Sequence, residues 1–169
     1  MLRAAQAYLR YSRAAIGAIA ALTLAVMVAI NAAEIAHRLA FVSGLNWVQE
    51  LSIILAMALY FLTYALIAKD REYIRIDLVA RLFGPRGRRA LAIGVRLVVL
   101  GFHGMVAWYA AKTTQFAALF ETHILAVGEW VYYLPLAVGC ADIVVTEIIY
   151  LAWQLRGVEL DPERAGLVT

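Results

Sequence analysis

Six ionisable residues interrupt or border long apolar runs: Glu34, Glu50, Arg96, His103, Asp142 and Glu147. In hydrocarbon such a group costs several kcal/mol on insertion scales, so each calls for a partner or a task. Three chemistries are open to them: neutralising ion pairs between helices, contacts to another subunit, and carriage of a proton on Asp142 or Glu147. Arg96 and Glu147 lie at comparable distances from the ends of their runs, which suits an Arg96–Glu147 pair. Asp142, nearer the middle of its run, is a second candidate partner for Arg96. A guanidinium beside a carboxylate lowers its proton affinity and so argues against carriage. Of the three histidines, His37 and His123 fall in connections and only His103 in a run, so they form no facing haem pair. No His-plus-carboxylate pattern recurs at metal-ligand spacing. A glycine-rich phosphate loop, a nucleophile–base set and paired catalytic carboxylates are likewise missing from the sequence. The expectation is no catalytic residue, no cofactor, no metal and no enzyme.

The elements that must position these groups follow from composition. Of 169 residues, 64% are hydrophobic and 16% charged, with mean hydropathy +0.79. Soluble domains average roughly 45–50% apolar and about 25% charged. The excess apolar surface therefore faces lipid. The lone Cys140 forms no intramolecular disulfide, and a formal charge of +3 is too small to suggest nucleic-acid binding.

A helix needs about 20 apolar residues to cross hydrocarbon roughly 30 Å thick. Four runs qualify, over about residues 14–36, 47–68, 90–112 and 130–155. Backbone in lipid must satisfy its own hydrogen bonds, so the runs are helices, and continuous stretches such as 18–30 do not alternate as barrel strands do. The fold class is an all-α integral membrane protein of four transmembrane helices in one domain.

Orientation follows from the cations. Arg3, Arg10 and Arg13 precede the first run, seven Lys and Arg lie between Lys69 and Arg89, and Arg156 and Arg164 follow the fourth run. The other two connections carry only Arg38 and Lys112. Cations are retained on the cytoplasmic side, which puts both termini inside. Trp47, Trp108 and Trp130 then fall near the outer boundary and Trp153 near the inner one. The first apolar run exceeds the roughly 7–15 residues of a secretion signal, so it reads as a retained span.

The connections are not neutral spacers. Over about 73–83, Ile74, Leu78 and Leu82 recur at helical spacing and Asp77 precedes Arg81 by four, the favourable order for a helical ion pair. This reads as a short amphipathic helix in the inner interface, its arginines near anionic head groups; the alternative is a solvated basic loop. The outer connection, about 112–129, contains Phe116, Leu119 and Phe120. It lies against membrane or a neighbouring protein, or else extends the third helix. In the first span Gly17, Ala21, Ala25 and Ala29 form a small-residue stripe suited to close helix approach, within the chain or against another subunit.

One stretch resembles a known family. Arg38, Phe41 and Trp47-Val48-Gln49-Glu50-Leu51, then Tyr73-Ile74-Arg75-Ile76-Asp77-Leu78, are similar to the entrance and exit of the second span in the DctQ-like small membrane subunits of tripartite ATP-independent periplasmic (TRAP) transporters. Trp130, Tyr133, Pro135 and Gly139 follow the family's order in the fourth span. Tyr73 stands where His is usual, Gln49 where a second acid is common, and Thr63 near where Gly is expected. The resemblance implies an accessory subunit of the bacterial inner membrane. It would brace a large multi-span permease and work with a periplasmic solute-binding protein in sodium-coupled uptake of an organic acid. Arg38, Trp47, Glu50, Tyr73, Asp77, Arg81, Arg96, Trp130, Pro135, Asp142 and Glu147 are the expected structural or partner-interface residues, with membrane lipids as further partners. On this reading Glu50 meets Arg38 to fix the junction of the first two helices, or stays hydrated at head-group depth. Asp77 pairs with Arg81 or faces partner backbone. The rivals are a self-sufficient four-helix proton-coupled exporter and the small subunit of a tricarboxylate-type tripartite transporter.

Overall fold

The computed structural model describes residues 2–41, 43–70 and 84–155. Within them the chain is helical: α1 (Leu2–Phe41), α2 (Asn46–Asp70), α3 (Pro85–Ala117) and α4 (Trp130–Leu155). All four are long and apolar enough to cross a membrane. The interfacial helix expected over about 73–83, with Tyr73, Asp77 and Arg81, lies outside the described residues.

Local sequence explains the breaks. Ser43-Gly44-Leu45 separates α1 from α2. Gly84 caps α3 in an extended conformation, and Pro85 takes its first position, where a missing N–H costs nothing. Pro135 sits inside α4, one turn past its start, removing one backbone bond. Two helices run longer than their apolar runs. α1 is 40 residues, about 60 Å at 1.5 Å per residue and twice a ~30 Å hydrocarbon layer. α3 continues through Trp108 and Lys112 to Ala117, so the first part of the expected outer connection is helix.

The helices alternate in direction. Asn31 meets Ser52, Arg89 meets Gln154 and Arg96 meets Glu147, so α1–α2 and α3–α4 are antiparallel, while α2 and α4 run parallel. One end of the bundle, the loop end, gathers Phe41, Asn46, Ala117 and Trp130. The other, the terminal end, gathers the starts of α1 and α3 and the ends of α2 and α4.

Three small cores hold the bundle: Ile16, Ala20 and Leu62 between α1 and α2; Ala65, Ala68 and Ile143 between α2 and α4; Leu9, Tyr150 and Trp153 between α1 and α4. The closest approach is at Gly139, where a Cβ would stand 3.0 Å from the Phe61 carbonyl oxygen. With lipid no more polar than the core, such tight packing rather than water exclusion drives association.

One expectation is narrowed and one is corrected here. Of the small stripe in α1, only Gly17 touches a neighbour, Leu66; Ala21, Ala25 and Ala29 are exposed, and α1 packs instead through Ile16 and Ala20. The branched Ile16 fills the hollow beside Leu62 that an all-alanine face would leave empty. Trp153 is buried against Leu9 and Tyr150 rather than placed at the lipid boundary, because α1 extends far enough past Ala14 to cover it.

Candidate functional site

Polar side chains of the long apolar helices are bonded in three layers, the first two of them across helices. At the terminal end Arg96 Nη1 donates to Glu147 Oε2 at 3.1 Å, their side chains 17% and 15% exposed. The Arg96 guanidinium also lies over the Tyr150 ring, 5.5 Å from its centroid, and Tyr150 stacks edge-on against Trp153. The charge of Arg96 is thus met by a carboxylate and an aromatic face of the same helix. Asp142 takes no part in that pair. Its Oδ1 accepts the hydroxyl of Tyr8 at 2.8 Å, drawing the start of α1 onto α4. Leu9, only 2% exposed, follows Tyr8 into the cleft.

In the middle layer His103, 5% exposed, joins α3 to α2. Its Nδ1 is 2.8 Å from the Val99 carbonyl, which can only accept, so Nδ1 carries the proton. In the neutral ring Nε2 is then the acceptor, and the Tyr64 hydroxyl donates to it at 2.8 Å. Between α1 and α2, Asn31 Nδ2 donates both to the Met27 carbonyl and to Ser52 Oγ at 2.8 Å.

The loop end carries the third layer. Arg38 pairs with Glu34 one turn earlier in α1, and both line an open groove of about 880 Å³ between α1 and α2, with Gln49, Ser52 and Ile53 on its far side. Glu50 therefore neither meets Arg38 nor stands hydrated alone. Its Oε2 accepts the backbone N–H of Ile124 at 3.1 Å and of Leu125 at 2.7 Å, tying α2 to the α3–α4 connection. The reason is local: Glu34, at i−4 on the same helix, reaches Arg38 at no cost in loop ordering, and two loop amides face Glu50 instead. Trp47 and Trp130, both exposed, flank this layer.

Sequence reasoning singled out Arg38, Trp47, Glu50, Arg96, Trp130, Pro135, Asp142 and Glu147. The structure joins Arg96 to Glu147, Asp142 to α1, and Glu50 to the loop; Pro135 is half-buried in α4. Tyr73, Asp77 and Arg81 lie outside the described residues. Tyr8, Tyr64 and Ser52 were missed: a hydroxyl within an apolar run costs too little to attract notice, and only the facing residue gives it meaning. Asn31, an amide inside the first run, was a readable signal. Among the described residues no group of three or more His, Cys, Asp or Glu could hold a metal ion.

The Tyr8–Asp142, Asn31–Ser52, Tyr64–His103 and Arg96–Glu147 contacts each fix the register of one helix against another. That is the work of a packed membrane unit, and the family to which the sequence compares agrees. Residues 27–157 match the family described as tripartite ATP-independent periplasmic transporters, DctQ component. The chain belongs to the DctQ family. The match runs from mid-α1 past the end of α4, so it takes in the Arg38–Glu34 pair, the Glu50 anchor, the Tyr64–His103 bond and the Arg96–Glu147 pair. It leaves out Tyr8 and Leu9, whose docking on α4 is seen only in the three-dimensional structure. DctQ proteins are small subunits of TRAP transporters, a transport component and not an enzyme family. No individually curated protein matches the chain.

Proposed function

We propose that this chain braces a large multi-span permease subunit in a bacterial inner membrane, for sodium-coupled uptake of an organic acid delivered by a periplasmic binding protein. The match of residues 27–157 to the DctQ component carries this reading. The bundle's own geometry supports it. Tyr8 with Asp142, Asn31 with Ser52, Tyr64 with His103 and Arg96 with Glu147 bond helix to helix, while large apolar side chains such as Val98, Phe102 and Met105 on α3 face outward, toward lipid or a neighbouring subunit. Such a unit is suited to hold a partner in place.

In this reading both termini are cytoplasmic and the loop end is periplasmic. The basic residues Arg10, Arg13 and Arg89 at the terminal end favour that orientation, as do the further cations of the sequence there. The sequence of residues 73–83, which lie outside the described residues, suits an amphipathic helix in the inner interface. Trp47, Trp130 and Pro135 belong to the face turned to the periplasm, and Tyr73 to the inner one.

The test is reconstitution of the tagged chain with a large TRAP permease subunit and a periplasmic solute-binding protein from the same genome. Co-purification of the large subunit is expected, with sodium-gradient-driven uptake in proteoliposomes only when all three components are present. Uptake by this chain alone, or by the large subunit at full rate without it, would overturn the proposal.

A further inference from the structure

The α3–α4 connection, residues 118–129, combines two features that a water-facing loop does not need together. Several of its outward side chains are large and apolar: Leu119 is 77% exposed, and Phe120, Ile124 and Val127 are exposed beside it. Most of its backbone N–H groups are nonetheless satisfied. Eight of its twelve N–H groups donate within the chain, two of them to Glu50 Oε2 and one to the hydroxyl of the buried Thr122. The Glu121–Gly128 bridge and the left-handed Ala126 shape the turn, and a Cβ at Gly128 would stand 2.5 Å from the Trp130 ring and push it aside. In water an open N–H finds a partner at once; near hydrocarbon it must be satisfied internally. A largely satisfied backbone with apolar side chains turned out suits a segment at the edge of an apolar medium.

The neighbouring surface says which medium. Phe102, Met105, Tyr109 and Phe116 recur along one exposed face of α3, with the exposed Lys112 and Thr113 between Tyr109 and Phe116, and the exposed Phe120 follows in the loop. The Lys112 ammonium lies 5.1 Å over the Trp108 ring, the posture of a cation snorkelling toward head groups. Trp47 and Trp130, exposed at the same end, mark the interfacial level. Glu121 and His123, also exposed, supply the polar edge.

We propose that residues 116–127 form an interfacial wedge, with Phe116, Leu119, Phe120 and Ile124 seated in the head-group/acyl boundary of the leaflet at the loop end and Glu50 holding the backbone in that shape. The wedge does not depend on which solute is carried or which partner is braced.

Power-saturation spin-label measurements test it. The full-length chain, in a Cys140→Ala background, carries one nitroxide at residue 119, 124, 121 or 102 and is reconstituted in phosphatidylethanolamine/phosphatidylglycerol nanodiscs. Labels at 119 and 124 are expected to favour oxygen over a water-soluble nickel chelate roughly fivefold more than the label at 121, approaching the lipid control at 102. Equal accessibility at 119, 124 and 121 would show a water-facing loop and overturn the proposal. So would labels that are water-accessible in the lone chain and shielded only on assembly with the large subunit, which would make the surface a protein interface. Glu50→Ala should shift the label at 119 toward water by roughly threefold, with Glu50→Gln, which keeps one acceptor, in between. No shift in either variant, with helicity intact by circular dichroism, would remove Glu50 from the account.

Discussion

The carboxylate of Glu50, one turn into α2, holds the amide of Leu125, 75 residues later, at 2.7 Å, and the adjacent Ile124 amide at 3.1 Å. One side chain thereby ties the start of the second helix to the connection between the third and fourth. Charge-assisted bonds to backbone N–H are among the stronger hydrogen bonds, about 1.5–3 kcal/mol each in net terms. Glu50→Ala is expected to loosen residues 118–129 by about 2 kcal/mol, raising amide hydrogen exchange at Ile124 and Leu125 roughly 30-fold while the cores of α3 and α4 keep their protection. Hydrogen exchange read by mass spectrometry checks this, and unchanged exchange at those two amides would contradict it.

Arg96 and Glu147 stabilise the α3–α4 hairpin only as a pair. Arg96→Leu or Glu147→Leu alone leaves an uncompensated charge in a low-dielectric layer, at a cost of roughly 3–5 kcal/mol. The double variant removes both charges and should recover most of that loss. Thermal unfolding in detergent, followed by near-ultraviolet circular dichroism, gives the cycle; two additive losses would show that the groups act separately.

Tyr64→Phe deletes the donor to His103 Nε2 and leaves a buried acceptor without its bond. About 1–3 kcal/mol is the expected loss. His103→Leu in the same chain should recover part of it, because the orphaned nitrogen goes too. The signature is a melting temperature higher in the double variant than in Tyr64→Phe.

Gly139 is set by the Phe61 carbonyl 3.0 Å from where its Cβ would be. Gly139→Ala forces α2 and α4 apart by a few tenths of an ångström at about 1–3 kcal/mol, and Gly139→Leu should prevent their packing. The control is Gly101→Ala, a helical site with nothing within 4 Å, which should be neutral or gain up to about 1 kcal/mol of helix propensity. Thermal stability of the three variants ranks them; a destabilising Gly101→Ala with a silent Gly139→Ala would reverse the reading.

Leu9→Ala opens a void against Tyr150 and Trp153 that lipid chains cannot fill neatly. A loss of about 2–3 kcal/mol is expected, together with faster proteolysis of residues 2–13. Equal protease resistance would mean that the start of α1 is held by other contacts.

The sequence by itself determined that this is a four-helix membrane protein, because an apolar run of sufficient length has no other way to satisfy its backbone in lipid. It also put Arg96 and Glu147 at matching depth, since depth is a count of residues along a helix. What it could not determine is azimuth. Whether Glu50 turns to Arg38 or to the loop, whether Asp142 meets Arg96 or Tyr8, and whether Trp153 sees lipid or Leu9 depend on how each helix is rotated about its axis and where its neighbours stand. In a soluble helix the polar face reports that rotation. Here every face is apolar, so hydropathy carries no directional signal, and only the packed structure, through contacts such as Gly139 against Phe61, decides it.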